Sequence, residues 1–362
     1  MNIDELINKI VWWIPFKNKR NLLRDELKSS INSLLENEKN KINIDIERLE
    51  NEKEAMLFNC IDRIIDLTNE ITDINKQRII LKNNLHLVEI ETHSYCNRRC
   101  WFCPNSVIDR HSENIELDEE LYLKIINNLK EIDYSKSINF HRFNEPLSNK
   151  KLILKRISQA RENLPNAKLG ILTNADYLDR EYLDQLVNSG INMIMMSYYF
   201  EKGEEFDKNY ILNHGMTKLL KKLNLEVDRI SIDNDEMIQI KLKYPGVGIV
   251  YKASDFKQMG NTRGGIVEGV HSVKNRKFRC FFPFTDLYID YNGSVMPCCN
   301  LRSDVKEQTP YILGNIKDNN LFEIFTNSKM ANMRKYLSYY LEKSYPCDNC
   351  YYDSEWKFRS IL

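Results

Sequence analysis

The feature that most limits how this chain can fold is a crowded cysteine loop. Between Ile90 and Ser106 the sequence reads IETHSYCNRRCWFCPNS, placing Cys96, Cys100 and Cys103 in a C-x3-C-x2-C array. Disulfides across such short spacings would be strained, and three thiols crowded onto one loop add little to a core. A soft metal centre accounts for them better. Three thiolates on a cubane iron-sulfur cluster leave one iron without a protein ligand, and an open iron can bind and activate a small molecule. Zinc prefers four closed ligands, and no fourth Cys or His sits nearby at ribbon spacing. His93, three residues upstream of Cys96, is the local rival for such a place.

The loop follows a predicted strand near Leu87 to Thr92, and strand and helix patterns alternate from there. A helix opening at Asp118 carries Leu121, Ile125, Leu129 and Ile132 on one face, ahead of a strand near Ile138 to Phe143. A helix from about Lys150 to Asn163 precedes the strand Leu169 to Thr173, and one from about Asp179 to Asn188 precedes Ile191 to Ser197. Further units fall near 203–225 and 246–252. Serial βα units predict parallel strands with right-handed crossovers, and about six of them predict an α/β fold built on a partial (β/α)6 barrel. In such sheets, sites gather at the carboxyl ends of strands, and the cysteine loop lies at one of them.

The loop resembles that of the radical S-adenosylmethionine (SAM) enzymes. The resemblance implies a four-iron cluster on Cys96, Cys100 and Cys103 whose open iron chelates SAM, with Phe102 beside it. Reduction of that cluster would cleave SAM to methionine and a 5′-deoxyadenosyl radical, which takes a hydrogen from an unactivated carbon. Asn144-Glu145-Pro146 stands where the family carries a Gly-Gly-Glu-Pro type motif that meets the SAM ammonium. Phe143 and Asn144 replace the glycines, so the close backbone approach of glycine is lost while Glu145 and Pro146 match. Thr173 and Asn174 match a family Thr-Asn pair near the SAM ribose or carboxylate, and Ser197 resembles a family serine with a similar role. Each pair alone is also ordinary cap and turn chemistry. Their ordered recurrence at successive strand ends carries the signal.

In the last third, Cys280 precedes a predicted hairpin in which Leu287 to Tyr291 and Ser294 to Met296 flank Asn292-Gly293, a type I′ turn signal. Cys298 and Cys299 close the hairpin, and a helix from about Asn320 to Glu342 leads to Cys347-Asp348-Asn349-Cys350. Four thiolates make a fully ligated site, and spacing alone allows zinc as readily as a cluster. The order and spacing of Cys280, Cys298, Cys347 and Cys350 resemble the twitch domain, the shortened form of the SPASM extension of radical SAM enzymes, as in aminocyclitol dehydrogenases of the butirosin type. That resemblance implies one auxiliary four-iron cluster, where full SPASM proteins use seven cysteines for two. Cys299 is the spare thiol: it replaces Cys298 as ligand, or is buried, or serves as a hydrogen-atom donor. Arg263, in Gly260-Asn261-Thr262-Arg263-Gly264-Gly265, stands where twitch-type enzymes turn an arginine toward substrate, although a solvated loop arginine between glycines is an equal reading.

Residues 22–84 contain neither Pro nor Gly and predict a long helix. Leu57, Cys60, Ile64, Leu67, Ile71 and Ile74 alternate by three and four, a coiled-coil seam that Ile42, Ile46, Leu49 and Met56 continue upstream. A second copy of the chain or an antiparallel return of the same segment must cover it, with Cys60 as a small buried apolar residue. Ile10 to Phe16, followed by Lys17, Lys19 and Arg20, suits a membrane interface or docking surface, or equally a short helix against the protein's own body. Lys plus Arg and Asp plus Glu both total 52, so no overall basic field gathers nucleic acid. Nine cysteines, with no cleavable signal peptide and no long apolar run, point to a reducing, cytoplasmic setting.

Three regions are expected: a helical extension over 1–84 for oligomerisation or docking, a radical SAM partial barrel over 85–259, and a twitch/SPASM-like cluster domain over 260–362. The resemblance implies dehydrogenation or epimerisation of a sugar or cyclitol-like substrate in glycan or nucleotide-sugar biosynthesis. SAM, its four-iron cluster and one auxiliary cluster would be the cofactors, with a flavodoxin or ferredoxin as reductant. Peptide maturation is the rival chemistry, although neither a second auxiliary cluster nor a leader-binding domain is evident. A coiled-coil protein with structural metal sites is the non-enzymatic alternative.

Overall fold

The computed structural model describes residues 2–12 and 15–352, without the side chains of residues 50–63. Trp13, Ile14 and the side chains of Met56, Leu57 and Cys60 therefore lie outside the described residues. The chain divides after Arg63 into two compact units.

The first unit holds α1 (Ile3–Val11) and most of α2 (Lys17–Thr68). Asn2 and Glu5 cap α1 reciprocally, satisfying two donors that a helix start leaves open. Ile7 and Val11 are buried, and Asp4 pairs with Lys28 at 2.5 Å. Trp12 and Phe16 stay exposed, as do the upstream seam residues Ile42, Ile46 and Leu49. No helix of the described residues is long and apolar enough to cross a membrane.

The second unit begins with the end of α2. The expected continuous helix stops at Thr68 and resumes as α3 (Ile74–Asn84), because the Asp73 side chain accepts the Lys76 N–H at 2.7 Å and starts a new helix. Leu67 is fully buried in the main core, Ile71 packs against that core, and the Ile71 N–H donates to the Thr326 carbonyl at 3.0 Å. This end of the seam is covered by the unit's own body, not by a second copy or an antiparallel return.

Strands β1 (Leu87–Ile90), β2 (Ser137–Asn139), β3 (Lys168–Thr173) and β4 (Met193–Tyr198) run parallel in chain order. Helices α4 (Glu119–Glu131), α5 (Lys150–Asn163) and α6 (Arg180–Asn188) join them, as their amphipathic patterns predict. Beyond β4 the pattern continues with the helix Met216–Leu223, inside the unit expected near 203–225, but it carries an insertion. An antiparallel hairpin, β5 (Glu226–Asn234) and β6 (Met237–Lys243), intervenes before β7 (Gly248–Ser254) joins β4 in parallel. The sixth parallel strand, β8 (Asp286–Ile289), comes from the cysteine-rich third and pairs with the other edge of β1. With β9 (Ser294–Met296) and β10 (Gly314–Asn315), the order is β10-β9-β8-β1-β2-β3-β4-β7-β6-β5. Val88, Ile138, Leu169, Ile194, Ile249 and Leu287 put one face of these strands into the core, so the alternate positions, Glu89 and Tyr288 among them, face the barrel interior.

Two local expectations change. The β8–β9 hairpin has no type I′ turn, since Gly293 has φ 80° while Asn292 keeps an ordinary negative φ. The Gly293 N–H donates to the Asp290 carbonyl at 2.8 Å, the pattern of a type I turn followed by a left-handed glycine. The expected helix over 320–342 is two, Leu321–Thr326 and Ser328–Ser338, because the Asn327 side chain accepts the Met330 N–H and restarts it.

Leu67→Ala removes a fully buried side chain and is expected to cost about 2–5 kcal/mol in urea unfolding of the full chain. Ile46→Ala, on the exposed part of the seam, should change the same measurement by no more than about 0.5 kcal/mol.

Candidate active site at the strand ends

The cysteine loop is tied down at both flanks. The Leu117 N–H donates to the Thr92 carbonyl at 2.9 Å and the Cys96 N–H to the Arg110 carbonyl at 3.2 Å. Within the loop, the Cys103 N–H reaches the Cys100 carbonyl at 2.9 Å, and Ser106 Oγ donates to the Cys103 carbonyl at 2.8 Å. Cys96, Cys100 and Cys103 line one cavity of about 80 Å3, together with Phe102, Asn144, Glu145, Thr173 and Asn174. Ser197, also predicted for this site, is buried at the end of β4 but does not line the cavity; it hydrogen-bonds Tyr199, which does.

The donor set fits a polynuclear cluster. Cys96, Cys100 and Cys103 form no disulfide, and burial pushes the thiols of Cys96 and Cys100 up to about 12. Thiolates there need a cationic partner. Among the described residues, no three His, Cys, Asp or Glu side chains converge closely enough to hold a single metal ion. His93 takes no part: it is fully buried, with Nδ1 3.1 Å from Thr92 Oγ1 and Nε2 2.9 Å from Ser148 Oγ.

Opposite the cysteines, Glu145 gathers two neighbouring strand ends. Its carboxylate accepts from Thr173 Oγ1 at 2.5 Å, the Asn174 N–H at 2.8 Å and the Leu147 N–H at 3.1 Å. Burial nevertheless pushes this carboxyl up to about 7 against those three bonds. Asn144 turns back on its own loop, its Oδ1 accepting the Arg142 N–H at 3.1 Å. Phe102 stacks face to face on Phe256 with centroids 3.5 Å apart.

The second set separates the two adjacent cysteines. Cys280, Cys298, Cys347 and Cys350 line one enclosed cavity, and Cys299 does not. Asn261 Nδ2 donates to Cys350 Sγ at 3.4 Å. Cys299 lies instead among Glu89, Arg263, Arg142 and Asp286, two carboxylates and two guanidiniums. Arg263 does not sit on a solvated loop. Its Nη1 donates to Asn300 Oδ1 at 2.7 Å, and its left-handed backbone (φ 53°) continues through Gly264 and Gly265.

Sequence reasoning missed what connects the two sites. Phe143, noted only as a replaced glycine, carries three guanidiniums against its ring: Arg302 at 4.7 Å, Arg142 at 5.3 Å and Arg263 at 5.7 Å. A buried ion network surrounds it. Arg110 pairs with Glu91 and Asp304 at 3.3 and 2.9 Å, Arg302 with Asp304 at 2.7 Å, and Arg142 with Asp290 at 2.6 Å. Apart from Arg302 and Asp304, which are two residues apart, its six members come from well-separated segments, so no spacing pattern announces them. The one available signal is a carboxylate, Glu91, directly continuing the apolar strand β1.

Burial lowers both His93 and His141 from 6.5 to about 4, with Arg110 and Arg142 respectively adding to the effect. The folded protein therefore binds fewer protons than the unfolded chain between those values. The stability due to each neutral ring is complete above about pH 6.5 and is lost as pH falls toward 4, up to about 3 kcal/mol per residue. His93→Gln should flatten the acid side of the stability profile by the slope of one proton, measured by urea unfolding between about pH 4 and 7.

Comparison with known proteins matches two stretches of the chain. Residues 90–198 match the radical SAM superfamily, and residues 280–351 match SPASM, an iron-sulfur cluster-binding domain. The S-adenosyl-L-methionine-dependent 2-deoxy-scyllo-inosamine dehydrogenase of Niallia circulans is 28% identical over 265 residues, 73% of this chain and 92% of that protein. The structure of BtrN in complex with AdoMet and 2-DOIA superposes with a TM-score of 0.54 at 25% identity, covering 75% of this chain and 94% of that one. An open conformation of BtrN gives 0.47 at 23%, covering 71% and 86%. The chain is a radical SAM enzyme with a partial barrel and a carboxyl-terminal SPASM region, related to the 2-deoxy-scyllo-inosamine dehydrogenase BtrN.

Proposed function

We propose that the enzyme oxidises a secondary alcohol of an aminocyclitol or similar polyhydroxylated ring to a ketone. The observation that carries this reading is the alignment with an inosamine dehydrogenase over nearly that protein's whole length. A single quartet of cysteines around one cavity supports it, since it suits one auxiliary cluster. Bound at an open cluster iron, SAM supplies a 5′-deoxyadenosyl radical that removes a carbon-bound hydrogen.

The chain's own residues divide the remaining work. Cys96, Cys100 and Cys103 would hold the SAM-binding cluster, and Cys280, Cys298, Cys347 and Cys350 the auxiliary one. Phe102, Asn144, Thr173 and Asn174 would border SAM, with Ser197 acting through Tyr199. Glu145 uses three of its roughly four acceptor positions within the protein, leaving one for the SAM ammonium. Arg263 would bind substrate oxygen. The balanced charges around Cys299 suit a neutral or amine-bearing ring better than the diphosphate of a nucleotide sugar. Reducing clusters fit a cytoplasmic setting with a flavodoxin or ferredoxin as donor, and the exposed Ile42, Ile46 and Leu49 support pairing of α2 with a second copy.

The placement of Cys299 favours a second reading, epimerisation. Outside the quartet and among the polar groups of the chamber, its thiol can return a hydrogen atom to the opposite face of a substrate radical.

Anaerobic reconstitution and reduction with SAM and 2-deoxy-scyllo-inosamine should yield 5′-deoxyadenosine and ketone in equal amounts. Deuterium placed on the oxidised carbon should appear in the deoxyadenosine. Bound zinc without SAM cleavage would sink the reading. Cys299→Ala should retain ketone formation, whereas under epimerisation it abolishes epimer. Iron should stay near about eight per chain in Cys299→Ala and fall to about four in a Cys347→Ala/Cys350→Ala variant.

A further inference from the structure

Arg142 is one of several buried arginines among the described residues with an unmet donor, and it is the one that lines the three-cysteine cavity. Its side chain is 1% exposed, as is that of Asp290, with which it pairs at 2.6 Å. Nη2 donates to the Leu301 carbonyl at 2.6 Å, and the guanidinium lies against the rings of Phe143 and Tyr288, each centroid 5.3 Å away. Nη1 finds no acceptor among the described residues. Folded proteins seldom strand a buried donor, and a charged one is the most costly to leave unmet.

The position of this donor gives it meaning. Arg142 lies three residues past the end of β2, lines the cavity that holds the three-cysteine loop, and bears electrostatically on Cys299 beside the second cysteine set. Arg263 shows the same deficiency: its guanidinium lies on the same Phe143 ring and its Nε also has no acceptor. Two guanidiniums from distant segments of the chain thus meet one aromatic ring, each with an N–H to spare. Asp290 and the Leu301 carbonyl fix Arg142, and Asn300 fixes Arg263, so both forks are set before any ligand arrives.

We propose that Arg142 is a substrate-contacting residue whose Nη1 binds a ring oxygen acceptor of the polyol, opposite the oxygen held by Arg263. The ligand class is a polyhydroxylated ring with at least two oxygens on one edge, and Asp290 is the positioning residue that aims Arg142. This assignment rests on the aminocyclitol reading. It predicts that the enzyme discriminates among cyclitols by the hydroxyl on the Arg142 side, because a site with a committed buried donor rejects analogues that leave it unpaired.

The test uses reconstituted holoenzyme and 2-deoxy-scyllo-inosamine as probe. Arg142→Lys keeps the charge beside Asp290 but lacks the Nη1 fork, and Arg142→Gln keeps a donor without the charge. Each sample is checked first for iron content and cluster absorption, so that a misfolded variant is recognised. For Arg142→Lys we expect a KM for inosamine at least tenfold higher and at least tenfold less ketone per 5′-deoxyadenosine. Asp290→Asn should raise KM in the same direction by a smaller factor. If intact Arg142→Lys equals wild type in both KM and coupling, the assignment of Arg142 is wrong while the aminocyclitol reading stands. If wild type cleaves SAM but neither binds nor oxidises inosamine, the aminocyclitol reading fails and takes this assignment with it.

Discussion

Glu91 holds the architecture together. It has no exposed surface, continues β1, and its carboxylate takes the Phe143 N–H at 3.1 Å, the Tyr291 N–H at 3.4 Å and the Arg110 guanidinium at 3.3 Å. One side chain thereby ties the ends of β1, β2 and β8 to the base of the cysteine loop. Through Arg110 and Asp304 the tie extends to Arg302, whose Nη1 donates to Asn105 Oδ1 at 2.9 Å, back on that loop. A carboxylate taken from water at such depth repays its desolvation only when every partner is in place. Removing one partner of a buried pair typically costs about 3–5 kcal/mol, so the network sets one arrangement of the two cysteine sites and penalises the alternatives.

Phe143 shows why a departure from a family motif is informative. A glycine at this point would let backbone approach a ligand closely. The phenyl ring instead supplies an apolar surface on which three guanidiniums converge, which water could not offer them. The ring also lines the cysteine-loop cavity, while Arg263 on its edge reaches Asn300 and so the second cysteine set. A continuous packed path therefore joins the two sites.

Those features that repeat locally were legible in the sequence. The helices α4 to α6 and the strands they join follow from hydrophobic periodicity, and the cysteine sets follow from spacing. The hairpin before β7 was not, because the alternation of β5 and β6 is diluted by charged residues on a largely exposed strand. Nor was the partnership of β8 with β1, since nothing in so short a strand, Asp286-Leu287-Tyr288-Ile289, says which of two sheet edges it will extend. Glu145, Thr173 and Asn174 were found as separate motifs, yet their mutual hydrogen bonds appear only once two strand ends are side by side. Cys298 and Cys299 are indistinguishable by spacing and are told apart only in the fold: Cys298 lines the enclosed cavity, while Cys299 does not and is within electrostatic reach of Arg263 and Arg142.

The pairing of β8 with β1 also has a bearing on how the chain is made. One edge of β1 waits for a partner that lies almost 200 residues further along. At translation rates of about 5–20 residues per second, that edge stays open on the ribosome for about 10–40 seconds. An apolar strand with unmet amide groups is a template for pairing with other nascent chains. The barrel cannot close on its own schedule, and the region that carries the second cysteine set acts as the final stave. The first cysteine loop is therefore complete in the chain long before the strand that closes the sheet beside it has been made.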